Sequence, residues 1–95
     1  MFMKVIQSPL FARNVKKLHN DQKLILDDKI RMILADPGIG NEKKGDLREI
    51  FVYKFKIKTD QYLLAYRIKE NILELITLGS HENYYRNLRK YVKIK

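Results

Sequence analysis

The sequence predicts an α+β fold of order β-α-α-β-β-β with a trailing helix: an antiparallel sheet with two N-terminal helices packed on one face. Three observations predict it. Two successive stretches, residues 9–18 and 21–35, carry apolar residues at helical spacing, residues 51–58 switch to strict alternation, and two short polar turns follow.

Taken in order, residues 2–7 form a short apolar strand ending at Ser8-Pro9, where serine caps a helix and proline takes its first position. In that helix Phe11, Val15 and Leu18 share a face, while Arg13, Lys16 and Lys17 fall elsewhere on the wheel. Asn20 caps a second helix, whose stripe of Leu26, Ile30, Ile33 and Leu34 stops before Asp36-Pro37-Gly38. Residues 38–45 hold three of the four glycines and read as a connection. Phe51, Tyr53, Phe55 and Ile57 then alternate with Val52, Lys54, Lys56 and Lys58, giving a strand with an aromatic buried face and a basic outer one. Thr59-Asp60-Gln61 and Lys69-Glu70-Asn71 turn the chain into strands over residues 62–68 and 72–78. Such short connections imply an antiparallel meander. Residues 81–95 form a basic helix or arm with Tyr84, Leu88 and Tyr91 on one side. The helices cover one face of the sheet, which leaves the other for a ligand.

With 95 residues the chain is expected to be one domain spanning residues 1–95. Its 45% apolar and 33% charged content excludes a disordered polar tail and a membrane protein. Twenty Lys and Arg against 11 Asp and Glu give a net charge of +9, which favours a polyanionic partner. Without cysteine there are neither disulfides nor thiolate metal sites, and no leader-like apolar run opens the chain, so a cytoplasmic location is expected.

Chemistry has three candidate locations. Lys54, Lys56 and Lys58 form a ladder whose side chains stand roughly 6.5–7 Å apart along a strand, comparable to successive phosphates of a nucleic acid. His81, in Gly79-Ser80-His81-Glu82-Asn83, follows the last strand and titrates near neutrality. Tyr84 and Tyr85, followed by Arg86, Arg89, Lys90 and Lys93, combine stacking rings with phosphate-binding cations. Arg48 lies between Asp46 and Glu49, which read as ion-pair partners. The two histidines, His19 and His81, are too far apart in sequence to suggest a metal site, and no Gly-rich phosphate loop, cysteine nucleophile or serine elbow occurs. Neither metal nor cofactor is expected.

Gly45-Asp46-Leu47-Arg48, the strand through Lys54, Lys56 and Lys58, Tyr62-Leu63-Leu64-Ala65-Tyr66 and Leu78-Gly79-Ser80-His81-Glu82 occur in an order that resembles the RelE/ParE superfamily of bacterial type II toxins. The resemblance covers essentially the whole chain. It implies a small basic toxin silenced by an acidic antitoxin. The RelE-, YafQ- and HigB-like branches cut mRNA on the ribosome without a metal, whereas ParE-like members poison DNA gyrase. Resemblance to the YafQ-like branch makes His81 the late catalytic histidine, and resemblance to RelE gives Lys54, Lys56 and Lys58 a catalytic role. RelE's late tyrosine corresponds to Tyr84 or Tyr85. Lysines stand where RelE has prominent arginines, and an ammonium group cannot form the bidentate contacts of a guanidinium. The implied activity is RNA cleavage by 2′-hydroxyl attack, with Arg48, Tyr84, Tyr85, Arg86 and Arg89 holding the RNA; the alternative is gyrase inhibition without cleavage.

Overall fold

The computed structural model describes residues 3–43 and 49–80. Strand β1 (Lys4–Gln7) leads into helix α1 (Pro9–Lys16), helix α2 (Asn20–Ala35), a 3-10 turn (Pro37–Ile39) and the two-residue strand β2 (Asn41–Glu42). Strands β3 (Phe51–Ile57), β4 (Asp60–Lys69) and β5 (Ile72–Ser80) complete the described chain.

Ser8 caps α1 as expected, its side chain accepting the Phe11 N–H at 3.0 Å, with Pro9 in the first turn. Being buried, the Ser8 hydroxyl also donates to the Ile76 carbonyl, which ties the helix start to the middle of β5. The helix stops at Lys16, short of the expected Leu18, because the Lys17 and Leu18 amides turn back to the Asn14 and Val15 carbonyls in tighter three-residue bonds. The cap of α2 is His19 rather than Asn20. Its amide donates to the Gln22 side chain at 2.7 Å, one half of a capping box that a search for Ser, Thr, Asn or Asp passes over.

The sheet has five strands in the order β1-β5-β4-β3-β2. The meander β3-β4-β5 is antiparallel, as its short turns require. Its second turn holds Glu70 and Asn71 at φ of 54° and 63°, the doubly left-handed geometry of a tight two-residue hairpin. In contrast, β1 joins β5 in parallel, from Lys4 opposite Ile72 to Gln7 opposite Leu75, so the sheet is mixed where an antiparallel one was expected. The physical reason is connectivity. The two helices carry the chain from one end of the sheet back to the other, and a strand separated by such a crossover enters parallel.

The core lies between the helices and the odd-numbered face of β3. Phe11, Leu26 and Ile33 meet Phe55, Ile57 and Leu64. Beside them Tyr66 is fully buried, and its hydroxyl donates to the Pro37 carbonyl at 2.7 Å and accepts the Gly40 N–H at 3.0 Å. One phenol therefore fastens the 38–40 connection to the sheet. Burial raises the Tyr66 pKa above its ordinary 10.0, with the Gly40 N–H opposing the shift and the Asp36 charge adding to it. A folded-state value above the unfolded one means that the Tyr66 contribution to stability is complete below pH 10.0 and is lost as pH rises through the shifted value. In an alkaline titration followed at the tyrosinate absorbance, Tyr66 is expected to ionise above the ordinary tyrosine value, together with loss of tertiary structure. Tyr66→Phe should remove that part of the alkaline transition; a transition identical to the parent's would contradict it.

Candidate functional site at the end of the sheet

Alternation along β3 sets the first part of the site. Val52, Lys54 and Lys56 point away from the helices, and both lysines are exposed. Cross-strand register puts Lys54 opposite Leu63 and Lys56 opposite Gln61, while Leu63 in turn faces Gly79 of β5. Neither Lys54 nor Lys56 has a carboxylate partner among the described residues. Two ammonium groups with no described carboxylate beside them thus share the end of the sheet where β5 finishes.

Lys58 does not join them. Strand β3 ends at Ile57, Lys58 occupies the turn with a φ of 60°, and its Nζ lies 2.6 Å from Asp21 Oδ2 near the start of α2. The expected three-lysine ladder is therefore a pair plus a lysine turned to the helix side. Alternation holds only while the backbone stays extended, and a left-handed residue breaks it. The bond from Lys58 holds the exposed Asp21 carboxyl below its ordinary value.

The basic face is also less open than expected. Val52, Leu63 and Ala65, on the same side as Lys54, are fully buried, so the middle of that face is covered. Farther along that side Arg67 donates twice to Glu74 Oε1, at 2.6 and 3.1 Å. This largely buried pair borders a cleft of about 290 Å³ with Glu49, Lys69 and Glu70. The two-residue turn makes Arg67 and Glu74 cross-strand neighbours, and opposite charges equidistant from that turn are the sequence signal for the pair.

His81 lies outside the described residues, as do Arg48, Tyr84, Tyr85, Arg86 and Arg89. Ser80, which precedes His81, pairs with Tyr62, and Tyr62 pairs with Phe55 between Lys54 and Lys56. The backbone at Ser80 is thus two strand spacings, roughly 10 Å, from β3. That end of β5 is anchored from α1. Asn14 Oδ1 accepts the Leu78 N–H at 3.0 Å and the Thr77 hydroxyl at 3.1 Å. Sequence reasoning missed Asn14. A polar residue beside the apolar stripe of Phe11, Val15 and Leu18 was the available signal. On the helix side of the same end, Asn14, Lys17, Leu18, Tyr62, Leu78 and Ser80 line a second cleft of about 270 Å³.

Among the described residues no cluster of His, Asp and Glu could hold a metal ion, and no helix is long and apolar enough to cross a membrane.

Residues 5–89 match the family described as ParE-like toxin of type II bacterial toxin-antitoxin system. The chain belongs to this toxin family. No curated protein matches its sequence. Among solved structures, the toxin is similar to a double-arginine mutant of Escherichia coli RelE in the free state, at 19% identity over 100% of both chains with a TM-score of 0.75. It is also similar to a chain of the intact E. coli RelBE toxin-antitoxin complex, at 20% identity over 84% of this chain and 98% of the other, with a TM-score of 0.68. A third likeness is to E. coli YafQ, at 17% identity over 83% and 93%, with a TM-score of 0.52. At such identities these likenesses establish a shared fold, the α+β architecture expected above.

Proposed function

We propose that this toxin is a metal-independent endoribonuclease that cuts mRNA at the ribosome by attack of a ribose 2′-hydroxyl on the adjoining phosphate. The observation that carries the reading is the pair of exposed ammonium groups of Lys54 and Lys56, neither with a carboxylate partner among the described residues, beside the end of β5, from which the chain passes directly into His81. The fold shared with RelE and YafQ supports it.

The chemistry needs a group that takes the 2′-hydroxyl proton, positive charge for the phosphorane and an acid for the leaving oxygen. The 2′ proton passes to solvent water as O2′ bonds to phosphorus, and the ammonium group of Lys54 or Lys56 assists its removal by stabilising the developing alkoxide. The other lysine and Arg48 neutralise the phosphorane. As the P–O5′ bond breaks, His81 protonates O5′, leaving a 2′,3′-cyclic phosphate and a 5′-hydroxyl. Tyr85 stacks on or orients a base, and Tyr84, Arg86 and Arg89 add stacking surface and phosphate contacts. Lys58, bound to Asp21, is available to the RNA only if that exposed pair opens. The neutralising partner is a cognate acidic antitoxin; a chain of the RelBE toxin-antitoxin complex shares this fold, which supports an antitoxin as partner.

Sequencing mRNA ends shortly after induction tests the reading. Cyclic-phosphate ends within reading frames are expected. Intact transcripts beside a DNA-damage response would instead favour a gyrase inhibitor, a second reading that draws on the ParE-like family match.

A further inference from the structure

The cleft on the helix side of the sheet end has a lining that the reaction above does not use. We propose that it binds one nucleotide of the single-stranded RNA substrate next to the cut, its phosphate on Lys17 and Asn14 and its base against Tyr62. The identity of this ligand rests on the RNA reading given above.

The lining supplies donors and one positive charge. Asn14 Oδ1 faces the Leu78 N–H, which can only donate, and this fixes the orientation of the amide. Both acceptor positions of Oδ1 are filled, by Leu78 and Thr77, so the Asn14 NH2 is left with two hydrogens and no partner among the described residues. Lys17 lies one helical turn on, is exposed, and likewise has no carboxylate partner among the described residues. The Ser80 hydroxyl adds a rotatable donor, and no carboxylate is among the described lining residues. Such a donor-rich, cationic wall selects an anion.

Its other wall selects a ring. Tyr62 borders the cleft and is steadied by Phe55, with ring centroids 6.4 Å apart and planes 20° apart. Buried Leu18 and Leu78 provide an apolar floor. At about 270 Å³ the space is near the lower limit of small-molecule sites, roughly 300 Å³, which suits one base and its phosphate.

Register explains how one RNA strand could meet both surfaces. Tyr62 and Ser80 lie in the row of Phe55, between those of Lys54 and Lys56, but on the opposite face. A strand passing over the end of the sheet would leave one phosphate on the lysine pair and the next nucleotide in the cleft.

The test uses a fluorescent single-stranded hexaribonucleotide with 2′-O-methyl groups, which lacks the attacking hydroxyl, titrated into the full chain at several salt concentrations. Lys17→Gln is expected to weaken binding about fivefold or more and to reduce the log–log salt slope by about 0.7, the loss of one phosphate contact. Tyr62→Leu should weaken it about tenfold, while Tyr62→Phe retains the parent's affinity. Thermal melts accompany each variant, and Lys17→Gln changes only an exposed side chain. Parental affinity and slope in Lys17→Gln and Tyr62→Leu, or no binding by the parent, would overturn the proposal. If the parent leaves cellular mRNA intact while both variants still lose hexamer affinity, the nuclease reading fails and the nucleotide cleft stands.

Discussion

Cells induced to express His81→Ala are expected to grow, and their mRNA to lack the 2′,3′-cyclic-phosphate ends produced by the parent. His81 directly follows β5 in the sequence, and an imidazole's ordinary pKa lies close to neutrality, so such a group can hold a proton and release it to O5′ within one turnover. Losing such an acid lowers the cleavage rate by roughly 10²–10⁴-fold. Substituting Lys54 and Lys56 together by glutamine should cause a loss of similar order, because two ammonium groups then no longer offset the phosphorane charge. The two variants are expected to differ in pH response. His81→Ala removes a limb of the pH-rate profile, whereas the lysine double variant lowers the rate while keeping that limb. If His81→Ala arrests growth as strongly as the parent, the acid is another group.

For stability, Gly40→Ala is expected to have a large effect. Glycine is not needed there for its backbone freedom, since its φ of −81° is open to any residue. What excludes a side chain is proximity. A Cβ at residue 40 would stand 2.8 Å from the Tyr66 hydroxyl oxygen, 3.1 Å from Tyr66 Cε1 and 3.2 Å from the Val52 carbonyl oxygen. The ring cannot swing aside, being fully buried, stacked on Phe51 at 5.4 Å and hydrogen-bonded to Pro37 and Gly40. Overpacking of this kind costs about 1–3 kcal/mol, which for a chain of this size lowers Tm by roughly 5–20 °C. Tyr66→Phe alone should also destabilise, by about 1–3 kcal/mol, because the Pro37 carbonyl and Gly40 amide lose their partner. Together the two changes should cost less than their sum, since removing the hydroxyl removes the shortest clash. Strict additivity in denaturant melts would show that the contact does not limit residue 40.

The same tyrosine shows how far local sequence reaches. Tyr62-Leu63-Leu64-Ala65-Tyr66 reads correctly as a strand, yet nothing within it indicates that the last ring anchors a connection 26 residues earlier. Lys54 and Lys56 were legible as a basic face because side-chain direction alternates wherever a strand stays extended. Lys58 was misplaced for the complementary reason: its left-handed φ is a property of how the hairpin closes, and lysine carries no mark of it. Asn14 was overlooked because its partners, Thr77 and Leu78, are more than 60 residues away.

By itself, the sequence determined the two helices, the alternating strand, the hairpin turns, the basic charge and the toxin family, since each depends on periodicity, turn chemistry, composition or motif order along a continuous stretch. Only the tertiary structure decided that β1 enters the sheet in parallel, that Lys58 leaves the lysine row for Asp21, and that α1 and the end of β5 enclose a cleft. These are choices of partner between distant segments, fixed by which surfaces can be buried together and which polar groups can be satisfied at once.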